Sequence, residues 1–194
     1  KSGSIDVFMT GAYQAWEYAT AGYMEPLEGY IENSSLTSAD YDYDDFIDGV
    51  IDALKWDCVP GHAVGTGSQW ALPMGWEINI LTYNKQILAD HNITPPKTAE
   101  ELLAAATALK EFDGSGTYGL ALRGTADWGT IHPAYMSMYT TWGAKDFEIE
   151  DGKLVSKVNS PEAIAMTEYW VNLVKNGSAP QWATYGWEMA GADL

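Results

Sequence analysis

The stretch at residues 70–84 limits most strongly how this chain can fold. Pro73 and Gly75 interrupt it, and residues 76–83 then continue as β-compatible side chains, mostly large and apolar, carrying a single carboxylate, Glu77. A proline at the entry of a strand has no N–H to give a central ladder, and a glycine beside it signals a bend. Together they mark a crossing point rather than the middle of a regular sheet. A carboxylate in such a run is either a satisfied structural acid or a ligand contact, and the local residues leave both open.

The flanking sequence alternates strand-like and helical patterns. Residues 5–9 read as a short buried strand, and residues 12–21 as a helix stopped at Gly22. Phe46, Ile47, Val50, Ile51 and Leu54 recur at helical spacing, which predicts an amphipathic helix over 44–54. Residues 56–69 read as a loop and 84–89 as a short helix. Thr98 and Glu101 form a capping box ahead of a helix over 99–112. Residues 118–122 read as a strand, and 130–139 as a helix with Pro133 in its first turn. Residues 148–157 form a hairpin around Asp151-Gly152. Ser160 and Pro161 start a further helix, as N-cap and first residue, which Asn176-Gly177 ends. This alternation predicts an α/β architecture.

Several chemistries are excluded. Acidic residues outnumber basic ones, 27 to 10, for a formal charge of −17, so a phosphate backbone is repelled and nucleic acid is not an expected partner. No apolar run approaches the ~18 residues of a membrane span. Asp40, Asp42 and Asp44 suggest a calcium loop, but its sixth-position glycine and twelfth-position glutamate are Asp45 and Ile51 here. His62, His91 and His132 lack partners at metal-ligand spacing, so no metal is expected. Phosphate-cradling and nucleophile-elbow motifs are missing, and no cofactor is expected. Cys58 is the chain's one cysteine, either a free thiol or half of a disulfide.

The positive signal is aromatic: nine Trp and twelve Tyr against four Phe. Each Trp or Tyr offers a flat apolar face with a polar edge, suited to sugars and polyols. Helical stripes account for Trp16, Trp56 and Trp170. Tyr13, Trp128 and Trp187 fall where loops or turns are expected and are candidate ligand contacts. Arg123, closing a strand-like run, can grip two hydroxyls or a carboxylate, or simply pair with an acid.

Five segments, in order, resemble the family 1 extracellular solute-binding proteins of bacterial ABC importers. They are Asp6-Val-Phe-Met-Thr-Gly11 with Tyr18 to Leu27; Trp70-Ala-Leu-Pro73 with Leu81-Thr-Tyr-Asn-Lys85; Pro95-Pro-Lys-Thr-Ala-Glu-Glu-Leu102; Tyr118-Gly-Leu-Ala-Leu-Arg-Gly124; and Ser160-Pro-Glu-Ala163. Arg123-Gly124, Trp128-Gly129 and Tyr185-Gly-Trp-Glu188 resemble the branch that binds sugar alcohols and related carbohydrates. Ala99, where the family usually has Trp, and Tyr13, in a variable loop, depart from the pattern.

The resemblance implies a type II periplasmic-binding-protein fold of two α/β lobes, incomplete in this chain, which is expected to be part of a longer protein. Residues 1–74 would belong to the N-lobe and 75–194 to the C-lobe, with the hinge crossover at about 71–78. It implies capture without chemistry, by hinge closure around a sugar or sugar alcohol that is handed to a membrane permease. Thr10, Tyr13 and Gln14 would contact ligand from the N-lobe and Glu77 at the crossover. Arg123, Asp127 and Trp128 would contact it from the C-lobe, with Trp187 as a stacking face. The expected location is periplasmic or extracellular, with a lipid anchor as one means of retention, and the expected full-length protein is a monomer. The competing reading is a glycoside hydrolase using Glu77 with Asp127 or Glu188, which requires two carboxyl groups ~5–9.5 Å apart.

Overall fold

A computed structural model of the chain describes residues 5–114 and 116–192. The chain divides into two compact units, Lys1–Glu77 and Ile78–Leu194.

In the first unit, helix α1 (Ala12–Thr20) buries Ala15 and Ala19 and gives way at Gly22, whose φ of 69° is the left-handed turn that glycine allows. Helices α2 (Glu28–Ile31) and α3 (Asp48–Asp52) are single turns, and β1 (Lys55–Trp56) pairs antiparallel with β2 (Ser68–Gln69). What joins these short pieces is polar. Gln69 is only 2% exposed. Its backbone N–H donates to Glu28 Oε1 at 2.6 Å and its carbonyl accepts from Leu27 N at 2.9 Å. Its side-chain amide donates to the Ile51 and Ala71 carbonyls and accepts from the Tyr43 hydroxyl at 2.7 Å. A buried amide is tolerable because each of these groups is satisfied.

The second unit is built on apolar packing. Helices α4 (Lys85–Asp90) and α5 (Ala99–Ala108) are capped by the Asn84 and Thr98 side chains. Helix α6 (Trp128–Ile131) runs through a π turn (His132–Met136) into α7 (Ser137–Thr141). Strands β3 (Phe147–Glu150) and β4 (Lys153–Ser156) form the expected hairpin; Asp151 and Gly152 both have positive φ, as a two-residue type I′ turn requires. Helix α8 (Pro161–Gly177) starts at its Ser160 cap and buries Ala163, Met166, Tyr169, Trp170, Leu173 and Val174 along one face. Ala106 of α5 marks the tightest approach. A Cβ on Gly177 would lie 2.8 Å from the Ala106 Cβ, and one on Gly119 would lie 2.0 Å from the Ala106 carbonyl oxygen. The Tyr169 hydroxyl donates to the Ala99 carbonyl at 2.7 Å, and burial, then the Glu100 charge, pushes it up to about 12. Helix α9 (Trp187–Ala192) closes the described chain.

Several expectations are corrected. Residues 5–9 are not a buried strand: they are coil with a bend at Asp6 and join no ladder among the described residues, and Val7 is 89% exposed. Residues 76–83 are also unladdered, with Trp76, Ile78 and Ile80 exposed, and residues 118–122 are half-buried coil. A β-compatible run becomes a strand only where another strand lies beside it, and none does among the described residues. The helix expected over 44–54 begins only at Asp48, because Phe46 is extended. Edge-on ring contact with Tyr43, itself tied to Gln69, holds the preceding turn. Residues 56–69 are not all loop, since β2 returns to β1. The helix expected over 99–112 ends at Ala108; Glu111 takes a left-handed φ of 59° and donates to the Thr117 carbonyl. The Glu101 carboxylate caps the Lys97 N–H rather than that of Thr98. Pro133 is not in a first turn, since α6 starts five residues before it; the helix accommodates it by widening. Trp187 opens a helix rather than occupying a turn.

Candidate ligand-binding site

The second unit holds a concavity of about 590 Å³ lined by residues 123–128 together with Thr130, Ile131, Tyr135, Trp170 and Trp182. Its near wall is fixed through the backbone. Gly124 and Thr125 both donate N–H to the Tyr185 carbonyl, at 2.9 and 3.2 Å. The approach needs glycine, because a Cβ on Gly124 would lie 2.2 Å from the Trp182 carbonyl oxygen and ring. Asp127 follows as the N-cap of α6. One carboxylate oxygen accepts the Thr130 N–H at 2.9 Å, and the other the Thr130 hydroxyl at 3.0 Å. Hydroxyl hydrogen bonds from Thr125 and then Thr130 hold the Asp127 carboxyl below the usual carboxylate range.

Arg123, the chain's one arginine, supplies the cationic donor. Its guanidinium carbon sits 3.7 Å from the centroid of the Trp187 ring, a cation–π stack. Nη1 donates to the Gly129 carbonyl at 3.2 Å. Trp187 therefore serves as the platform for Arg123, while remaining 70% exposed.

The aromatic walls come from three separate parts of the chain. Trp128 is 61% exposed, with its ring centroid 5.1 Å from His132. Tyr135 stands edge-on to Trp170 at 5.5 Å and shares a 2.9 Å hydrogen bond with the Thr167 hydroxyl. Chemically the concavity offers flat apolar faces, a fixed guanidinium, a carboxylate and hydroxyls, the set that a molecule alternating C–H and O–H edges requires.

Of the candidate residues, Arg123, Asp127 and Trp128 come together at this concavity and Trp187 stacks on the first of them. Thr10, Tyr13, Gln14 and Glu77 belong to the first unit. There the Thr10 hydroxyl donates to the Gln14 side-chain oxygen, and the Tyr13 ring lies over Gly11, where a Cβ would meet it at 2.5 Å. Glu77 is exposed. Tyr135, Trp170 and Trp182 were not recognisable as site residues from sequence: Trp170 sits on the α8 core stripe and faces the concavity as well, and Trp182 carries no motif of its own. A second concavity, of about 470 Å³, lies between residues 93–97 and α5, and its floor of Ala104, Ala105 and Ala108 offers few polar groups. Among the described residues no cluster of His, Cys, Asp or Glu could hold a metal ion, and no helix is long and apolar enough to cross a membrane.

Comparison with known proteins points the same way. A family model described as "Bacterial extracellular solute-binding protein" matches residues 1–193. The erythritol/L-threitol-binding protein of Mycolicibacterium smegmatis is 36% identical over 194 residues, all of this chain and 40% of that protein. The mannitol-binding protein of Pseudomonas aeruginosa is 29% identical over 150 residues, 76% of this chain and 30% of that protein. Two solved structures superpose well. An ABC transporter solute-binding protein from Agrobacterium vitis with bound D-mannitol gives a TM-score of 0.68 at 26% identity, covering 97% of this chain and 41% of that one. One from Agrobacterium radiobacter in complex with ribitol gives 0.69 at 22% identity, covering 91% and 40%. The chain thus spans about two fifths of the length of the first of these relatives, and its fold is part of the two-lobed periplasmic-binding-protein type.

Proposed function

This chain belongs to the bacterial extracellular solute-binding protein family, and we propose that the full-length protein captures a sugar alcohol outside the cytoplasmic membrane for an ABC importer. The units Lys1–Glu77 and Ile78–Leu194 correspond in this reading to parts of the two lobes, with the crossover at about 71–78. Ligand is gripped from the second unit by Arg123, Asp127 and Trp128, with Trp187 backing the guanidinium. Thr10, Tyr13, Gln14 and Glu77 contribute from the first. Lobe closure presents the liganded form to the permease, and no bond is made or broken.

The observation that carries this reading is the concavity itself: a guanidinium stacked on indole, a capped carboxylate and three Trp rings around one space. An acyclic polyol matches it in kind, because each hydroxyl must both donate and accept when buried, while its C–H edges pack on rings. The family's role as binding proteins weighs against the glycoside hydrolase.

The test is calorimetric titration of the full-length protein with erythritol, ribitol, D-mannitol and control disaccharides. Saturable binding of at least one sugar alcohol, with no product formed from glycosides, is expected. Turnover of a glycoside, or binding confined to disaccharides, would reject the reading.

A further inference from the structure

Pro133 has an unusual setting. Helix α6 is capped by Asp127, and the His132 N–H bonds the Trp128 carbonyl in the normal α pattern. The next bond of that series would run from the N–H of residue 133 to the Gly129 carbonyl. Proline has no N–H, and its ring collides with the carbonyl four residues back. The chain answers by opening into the π turn His132–Met136. The Gly129 carbonyl, which Pro133 cannot engage, is the group to which Arg123 Nη1 donates at 3.2 Å.

We infer that Pro133 is a positioning residue for Arg123: by withholding the α-helical N–H, it removes that donor from the Gly129 carbonyl, which docks the guanidinium lining the concavity. Gly129 adds to this, since it presents its carbonyl with no side chain alongside. The guanidinium is then fixed on two sides, by that carbonyl and by the Trp187 ring at 3.7 Å. With one Nη committed, the remaining donors have a set direction, so less freedom is lost when a ligand takes them. In a full α ladder one lone pair of this carbonyl would be held by the N–H of residue 133, along the helix axis, leaving Arg123 to share the oxygen as a second donor. The inference rests on Arg123 being a ligand contact, but it concerns what aims the side chain rather than whether the side chain binds.

The experiment compares Pro133→Ala, Arg123→Ala and the double variant in the full-length protein. Alanine in place of Pro133 restores the missing donor and raises helix propensity, so the melting temperature should hold or rise. The Arg123 Nε–Hε NMR signal, assigned by its loss in Arg123→Lys and shielded by Trp187, should move toward the free-arginine position in Pro133→Ala. Affinity for whichever of erythritol, ribitol and D-mannitol binds wild type should fall roughly tenfold, the scale of one misdirected charge-assisted hydrogen bond. In the Arg123→Ala background, Pro133→Ala should add nothing further. An unmoved Arg123 signal overturns the inference whether or not a ligand is found. A Pro133→Ala loss that persists without Arg123 overturns it too, and points to the Tyr135 wall instead. If Arg123→Ala leaves polyol affinity intact, it is the proposed site that fails, while the NMR signal still judges what Pro133 does.

Discussion

The two units owe their integrity to different physics. The second is organised by α8, whose apolar stripe packs on α5 and α7 with Met166 and Leu173 essentially out of water. The first has few buried side chains and is tied instead by the satisfied amide of Gln69, which links α2, α3, β2 and the turn at Tyr43. Apolar packing tolerates no loss of volume, whereas a polar hub tolerates no loss of partners. The candidate concavity lies on the apolar unit, where its walls are backed by a helix core.

That contrast can be broken or sharpened by substitution. The largest effect should come from Leu173→Ala, which leaves a cavity where α8 meets α5 and should cost about 2–5 kcal/mol. Hydrogen exchange should show the opening confined to residues 78–192, with amides of the first unit unchanged. Gln69→Leu is the converse. It adds apolar surface yet strands the Ile51 and Ala71 carbonyls and the Tyr43 hydroxyl, so a loss of about 2–3 kcal/mol is expected in denaturant melts. A neutral or stabilising result would mean that the first unit, too, is held by apolar burial.

Tyr169→Phe should cost about 1 kcal/mol at neutral pH through its lost hydrogen bond to Ala99. It should also change the alkaline profile. The folded hydroxyl is raised, so the neutral form is favoured in the native state. Its contribution is complete below the unfolded value near ~10 and is lost as pH rises toward about 12. Thermal melts across that window should show wild type weakening more steeply than the variant. Smallest is Asp127→Ala, which removes the α6 cap and leaves the Thr130 N–H without its carboxylate acceptor. Because the folded carboxyl is lowered, its contribution is present above the ordinary carboxylate value and fades as pH falls through the folded one. The Thr130 amide, measured against its intrinsic exchange rate at each pH, should therefore lose protection in acid for wild type and be unprotected throughout in the variant.

What was legible in the sequence follows from range. Ser160-Pro161, Thr98 and Asp151-Gly152 act within one turn, and each lies where its local chemistry puts it. Residues 5–9 and 76–83 mislead because a strand is a property of two segments, and sequence displays one. The same division runs through the site. Arg123, Asp127 and Trp128 sit within six positions of one another and share a motif, so their convergence was visible. Tyr135, Trp170 and Trp182 reach the concavity only through the packing of α8 and the close approach at Gly124, which no local pattern announces. Gln69 was missed for a related reason, since a glutamine after glycine-rich loop sequence reads as solvated until its partners are placed around it.

The most direct test of the central claim is calorimetric titration of the full-length protein, alongside Trp128→Ala and Arg123→Ala, with erythritol, ribitol and D-mannitol. The account predicts one-site binding of at least one of these by wild type. It also predicts a loss of tenfold or more (~1.4 kcal/mol) in each variant, with melting temperatures close to wild type. Undiminished affinity in both variants would contradict it and remove the concavity of the second unit as the place where ligand is held.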